Sequence, residues 1–138
     1  MSMEIVKFPR PRGLAPEPTT FTNVFWTSLE KGEFKTTRCG NCETLSFPPR
    51  RVCIKCGAED MAWENLSGSG NLYTRTRIHA GLPQFGPEPI DVAIVDLAEG
   101  IRLVCALVGA ENARIDGPIE LVVLDYEDGV LFGARPVK

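Results

Sequence analysis

Residues 39–56 read CGNCETLSFPPRRVCIKC, a stretch that contains two Cys-x-x-Cys pairs. The pairs are Cys39/Cys42 and Cys53/Cys56, and ten residues separate them. Two such turns facing each other place four thiolates at the corners of a tetrahedron, which is the geometry that Zn²⁺ prefers, with Zn–S bonds of about 2.3 Å. Because all four ligands are sulfur, no coordination position is left for water or substrate. The stretch therefore predicts a structural zinc site, with iron as the alternative metal.

The composition is that of an ordinary soluble domain. The chain has 138 residues, a hydrophobic content of 43% and a formal charge of −3, so it fits one domain or two very small ones. The acidic balance gives no general attraction to nucleic acid. No run approaches the roughly 18 apolar residues of a membrane span, and residues 1–18 lack the apolar run of a signal peptide. We therefore expect a cytoplasmic protein with no nucleic-acid or membrane partner, in which paired Cys-x-x-Cys units bind metal rather than form disulfides.

The N-terminal quarter is predicted to be an extended arm followed by one helix. Four prolines within residues 1–18 favour an extended backbone, either as a disordered tail or as an arm packed on a partner subunit. Thr19 or Thr20 can cap a helix that stops at Gly32. Its apolar face holds Phe21, Val24, Phe25 and Leu29, with Trp26 at the edge. This stripe predicts either core packing or a subunit interface.

We expect three parts in a mainly β protein: arm and interface helix (1–33), zinc ribbon (34–61) and a C-terminal barrel (62–138). The barrel strands are rich in Val, Ile, Leu and Thr and are separated by tight-turn signals. They are predicted at Gly70–Ala80, Ile90–Leu97, Ile101–Val108, Ile119–Asp125 and Val130–Ala134. Five strands with almost no helix between them favour an OB-fold barrel.

Two reactive side chains in this region do not form a catalytic pattern. Cys105 lies in an apolar strand and is expected to be a buried small hydrophobe. His79 is the only histidine, and no nucleophile elbow accompanies it. His79 is therefore expected either at a structural strand edge or in a hydrogen bond to a ligand or partner. We assign no catalytic residue.

The basic residues indicate an anion site more than a catalytic one. Arg50, Arg51 and Lys55 cluster on the expected ribbon, and Arg75 and Arg77 share one face of a strand by period-two alternation. Together they can bind a few phosphates, such as those of a nucleotide-like cofactor. They are too few to follow a nucleic-acid backbone in an acidic chain.

The order of the motifs resembles the DUF35 family. The matching segments are Arg38-Cys39-x-x-Cys42, Phe47-Pro48-Pro49-Arg50, Cys53-x-x-Cys56-Gly57, Ser67-Gly68-x-Gly70 and Ala93-x-Val95-Asp96-Leu97-x-Glu99-Gly100-x-Arg102-Leu103. The resemblance implies an N-terminal helix, a rubredoxin-like zinc ribbon and an OB-fold. Two positions depart from the family pattern: Glu43 replaces the glycine usual after the first cysteine pair, and Ile90-Asp91 stands where many members carry an aromatic residue.

The resemblance also implies an accessory subunit of a thiolase-like enzyme, non-catalytic or co-catalytic, that binds acyl-CoA. An aldolase complex acting on a steroid side-chain CoA thioester is one concrete form. Arg50, Arg75 and Arg77 are then candidates for the CoA phosphates, with His79 and Phe85 near the acyl end. Two alternatives stay open: a nucleic-acid-binding zinc-ribbon/OB module, and a rubredoxin-like electron carrier.

Overall fold

The computed structural model describes residues 2–13, 15–79 and 88–137 of the chain. It is mainly β with one α-helix, as expected. The helix is α1 (Asn23–Glu30), and the strands are β1 (Ile5–Lys7), β2 (Lys35–Cys39), β3 (Leu45–Ser46), β4 (Met61–Asn65), β5 (Ser69–Ile78), β6 (Ile90–Leu97), β7 (Arg102–Leu107), β8 (Pro118–Tyr126) and β9 (Gly129–Pro136).

Five strands close the barrel in the order β8-β5-β6-β7-β9, and β9 pairs back onto β8. Alternate residues of each strand face the interior, as period two requires. In β6 these are Ala93, Val95 and Leu97, and in β7 they include Leu103 and Cys105. The predicted OB-fold barrel is confirmed, with strands that differ from the prediction only at their ends. Ala80, the predicted end of the first barrel strand, lies outside the described residues.

At Gly70, strand β5 pairs with two neighbouring strands at once. It lies opposite Leu97 of β6 and opposite Ile119 of β8. A Cβ at this position would collide with the backbone carbonyl oxygen of Asp96. Gly68, just before it, has a φ of 75°, in the left-handed region that favours glycine. Two glycines therefore allow the chain to turn into β5 against the adjacent backbone.

The N-terminal arm packs on its own barrel. Strand β1 runs parallel to β8 opposite Val123–Asp125, where β5 no longer pairs with β8. The Phe8 ring stacks on Tyr126 with a centroid distance of 4.8 Å, and the backbone N–H of Arg12 donates to Asp128 at 2.8 Å. The arm is extended, as expected, and its residues 5–12 cover an open strand edge of their own sheet rather than forming a free tail.

The ribbon is a separate three-stranded antiparallel sheet in the order β3-β2-β4. Thr37 in the middle of β2 lies opposite Ser46 of β3 and Trp63 of β4. The last strand of this sheet, β4, reaches Asn65 and leads into the barrel.

Helix α1 lies between the ribbon and the barrel. It begins at Asn23, because the Thr19 hydroxyl accepts the backbone N–H of Thr22 and closes a turn before the helix. Its Phe25 and Leu29 are buried, with exposed fractions of 4% and 0%, in the core of their own chain. The expectation of a subunit interface is therefore wrong for these two residues.

Four phenylalanine rings hold the three parts of the chain together. They are Phe25 of the helix, Phe34 and Phe47 of the ribbon, and Phe132 of the barrel. Their centroids are 5.1 to 6.0 Å apart, mostly in edge-to-face contacts, which is a favourable range for aromatic pairs. The ribbon is thus anchored on the barrel through a shared core.

Candidate metal centre and ligand-binding groove

The four predicted metal ligands converge. The sulfur atoms of Cys39, Cys42, Cys53 and Cys56 all lie within 4.8 Å of one another. The Sγ of Cys39 is 3.6 Å from that of Cys56, and the Sγ of Cys42 is 3.5 Å from that of Cys53. A regular tetrahedron with Zn–S bonds of about 2.3 Å has S···S edges of roughly 3.8 Å. The donor set therefore fits one tetrahedral metal ion.

The two cysteine turns have equivalent backbones. The N–H of Glu43 donates to the carbonyl oxygen of Cys39, and the N–H of Gly57 donates to that of Cys53, at 2.9 and 3.0 Å. Both donor residues have positive φ, 64° for Glu43 and 76° for Gly57. Glu43 thus adopts the left-handed conformation for which glycine is usual, and the turn keeps its geometry at a modest cost in strain.

Polar groups favour the thiolate form at two of the four sulfurs. Hydrogen bonds from the side chain and backbone of Thr44 lower the pKa of Cys42 to about 6. The side-chain amide of Asn41, 3.5 Å from the Cys56 sulfur, lowers the pKa of that thiol. Because metals bind the thiolate, this environment prepares Cys42 and Cys56 as ligands. With four sulfur ligands, the site is closed and structural in type.

Cys105 behaves differently from these four. It lies in the barrel interior with an exposed fraction of 8%, and burial raises its pKa to about 12. A thiol in this state is a poor nucleophile at neutral pH. The expected structural role of Cys105 is confirmed.

An open groove with a volume of about 510 Å³ lies beside the second cysteine turn. Its lining residues are Thr19, Phe21, Pro49, Arg50, Arg51 and Val52. The Arg51 guanidinium lies 5.1 Å from the centroid of the Phe21 ring, and that ring contacts Trp63 of β4 at 5.1 Å between centroids. The backbone N–H of Arg50 donates to the Thr37 hydroxyl at 2.9 Å. The groove therefore has a basic, partly aromatic wall fixed to the ribbon sheet.

The other predicted ligand residues lie elsewhere. Arg75, Arg77 and His79 are at the end of β5. Arg77 makes two contacts with Asp91, Nε–Oδ1 at 2.8 Å and Nη2–Oδ2 at 3.3 Å, and the hydrogen bond to Arg77 lowers the pKa of the Asp91 carboxyl. The Arg75 guanidinium donates to the carbonyl oxygen of Ala110.

The structure thus separates Arg50 from the β5 group, while Phe85 lies outside the described residues. Sequence reasoning placed Arg50 and Arg51 in one cluster but did not connect them with Phe21. No local pattern signals that contact, since about thirty residues separate the two positions and the pairing depends on β4.

Within residues 2–13, 15–79 and 88–137, no helix combines the length and the apolar character needed to cross a membrane.

The fold and the cysteine site together define a protein made of a zinc ribbon and an OB-fold. Residues 26–62 match the family model described as the ChsH2 rubredoxin-like zinc ribbon domain, and residues 63–124 match the ChsH2 C-terminal OB-fold domain. A DUF35 domain-containing scaffold protein of Methanocaldococcus jannaschii is 35% identical over 102 residues, which cover 68% of this chain and 72% of the relative. The chain belongs to the DUF35 family, and the resemblance seen in its motifs is confirmed.

Two further comparisons concern an enoyl-CoA hydratase subunit and an aldolase. A probable enoyl-CoA hydratase alpha subunit of Thermomonospora curvata is 34% identical over 119 residues, or 85% of this chain. The match spans 37% of that relative's length. A solved structure of an Ltp2-ChsH2(DUF35) aldolase is similar with a TM-score of 0.76 and 30% identity, covering 88% of this chain and 98% of that one.

Proposed function

We propose that this chain is an accessory subunit of a thiolase-like enzyme, on which it docks and for which it helps to hold an acyl-CoA thioester. The observation that carries the proposal is the likeness, over nearly the whole of both chains, to a chain of the Ltp2-ChsH2(DUF35) aldolase. The hydratase alpha subunit of T. curvata supports a link with CoA thioesters. An aldolase acting on a steroid side-chain CoA thioester is one concrete form of the complex.

In this proposal the partner supplies the nucleophile or base, and this chain has a non-catalytic or co-catalytic role. The closed four-sulfur site has no open coordination position, and the Cys105 thiol is held in its neutral form by burial. The free cysteines favour a reducing, cytoplasmic location.

The residues that we propose to bind the acyl-CoA are those named from the sequence. Arg50, Arg75 and Arg77 supply positive charge for phosphates. His79 and Phe85 are assigned to the acyl end.

The net charge of −3 supports this function over nucleic-acid binding, because an acidic chain has no general attraction to a phosphate backbone. The electron-carrier alternative needs iron in the four-sulfur site, which elemental analysis tests directly.

The decisive experiment is affinity purification of the tagged protein from its native organism. We expect a stoichiometric thiolase-like chain in the eluate, and turnover of an acyl-CoA thioester by the pair but by neither subunit alone. A protein that elutes alone under mild salt, and that changes no activity when a candidate partner is added, would refute the proposal.

A further inference from the structure

We infer that the groove beside the second cysteine turn binds the phosphorylated nucleoside end of a ligand, through Arg50 and Arg51 for the phosphates and the Phe21 wall for the base. This inference rests on the proposed function, because it takes acyl-CoA as the ligand. The chemistry that the groove would recognise is a phosphate group joined through a sugar to a planar base, which a free nucleotide also offers.

The charges of the groove arginines are open to an anionic ligand. Five arginines of the described chain are paired with carboxylates: Arg12, Arg38, Arg77, Arg102 and Arg135. No ion pair within the described residues involves Arg50 or Arg51. Their positive charge is therefore available to an anion, whereas the charge of Arg77 is already matched by Asp91.

These arginines are positioned by contacts that do not neutralise their charge. The Arg51 guanidinium lies over the Phe21 ring, a contact that orients the cation and leaves its N–H donors free. Thr37, which has an exposed fraction of 1%, holds the backbone of Arg50. A site arranged in advance loses less conformational entropy when its ligand binds.

The lining of the groove suits a flat base. Phe21, Pro49 and Val52 offer apolar surface against which a flat base can pack, next to the two cations. Arginine forks suit phosphate oxygens, and rings stack on aromatic side chains. A second groove, of about 310 Å³, is lined by Glu30, Asp125 and Glu127 among others, and this acidic lining disfavours phosphate.

The cysteine site adjoins this wall. Val52 immediately precedes Cys53, so the arginine segment leads directly into a metal ligand. The structural metal would then support ligand binding indirectly, by holding residues 50–52 in place.

The test is calorimetric titration of the full chain, alone and in its native complex, with CoA, 3′-dephospho-CoA, ADP and adenosine as probes. The variants are R50A, R51A, R77A and R114A, the last being an exposed arginine outside the groove. Charge-assisted hydrogen bonds contribute about 1.5–3 kcal/mol, so R50A and R51A should each weaken CoA binding about tenfold or more. R114A should change it less than about twofold, in line with surface residues that do not contact the ligand, while R77A reports whether the phosphates are held at β5 instead.

The probes separate the sources of the ligand. Tighter binding of CoA than of ADP supports a CoA ligand at the groove, while equal binding of ADP and CoA supports the nucleotide site without the acyl-CoA assignment. Adenosine binding as tightly as ADP would overturn the role given to the arginines.

Three further outcomes overturn the inference and bear differently on the proposed function. If R77A weakens CoA binding and R51A does not, the nucleotide end lies at β5 and the proposed function stands. If R50A and R51A abolish co-purification of the partner but leave CoA binding intact, the groove is a protein contact. If neither the chain nor its native complex binds CoA, the acyl-CoA part of the proposed function fails as well.

Discussion

Replacing Cys39 with serine should release the metal and unfold the cysteine turns while leaving the barrel folded. Cys39 is fully buried, and its sulfur accepts the backbone N–H groups of Asn41 and Cys42 at 3.3 and 3.4 Å. From residue 40 to residue 60, only Ser46 and Cys53 are buried. So little apolar burial cannot offset the conformational entropy of ordering this loop.

The size of the expected effect follows from the share of the folding free energy that the metal must supply. Structural zinc in small domains supplies about 10–16 kcal/mol of folding free energy. Even a third of that amount, about 4 kcal/mol, corresponds to an increase of roughly a thousandfold in the population of the opened turns. Amide hydrogen exchange across residues 40–60 should therefore accelerate by about a thousandfold or more in C39S. Exchange in the barrel strands should change far less, because the barrel has its own core.

The assay combines elemental analysis with hydrogen exchange followed by mass spectrometry. C105A is the matched control, since it removes a buried cysteine that is not a ligand and should keep one metal ion per chain. Zinc is the expected metal, and iron would favour the electron-carrier alternative. The reasoning is refuted if C39S retains one ion per chain, or if exchange across residues 40–60 is unchanged after the metal is lost.

Three other predictions test the packing and the charges. L29A should lower the free energy of unfolding by about 2–5 kcal/mol, whereas V24A, on the exposed side of the same helix, should change it by less than about 0.5 kcal/mol; equal losses in urea unfolding would contradict the buried orientation of the helix. E64Q should destabilise the protein by at most about 1 kcal/mol at neutral pH. Because the hydrogen bond to Arg38 lowers the pKa of Glu64 in the folded state, this stabilisation is present above the unfolded-state pKa and disappears as the pH falls through the folded-state pKa; a gap between wild type and E64Q that persists in acid would contradict it. The Cys105 thiol, with a pKa of about 12, should resist iodoacetamide in the native protein at pH about 8, and labelling at the rate of an exposed cysteine would contradict its burial.

The metal centre and the barrel are the parts that the sequence specifies most directly. The spacing of the four cysteines restricts them to two turns, and Gly57 marks the backbone conformation of one turn. Alternation in strands such as Ile90–Leu97 identifies both the strand and the side that faces the core. These signals are local, so they can be read without knowing the rest of the fold.

The helix shows where local patterns stop being sufficient. Its periodicity identifies an apolar face, but not what covers that face. The cover includes Phe132, more than a hundred residues further along the chain. An interface and a core therefore look identical until the barrel is in place.

The contacts of the arm and the groove are equally hard to predict from local sequence patterns. Strand β1 has three residues, and its partner is β8 near the other end of the chain. The groove depends on Phe21, Arg51 and Trp63, which three separate segments supply. Only tertiary structure reveals these contacts.

The glycines before β5 have a consequence for reading related sequences. A Gly-x-Gly repeat at the start of a strand invites a search for a nucleotide-binding loop. Here Gly70 is needed where a side chain would strike the main chain of β6, and Gly68 is needed for its backbone angle. In chains that share this spacing, the repeat indicates where two neighbouring strands close the β-barrel. A bound cofactor should be sought at another surface.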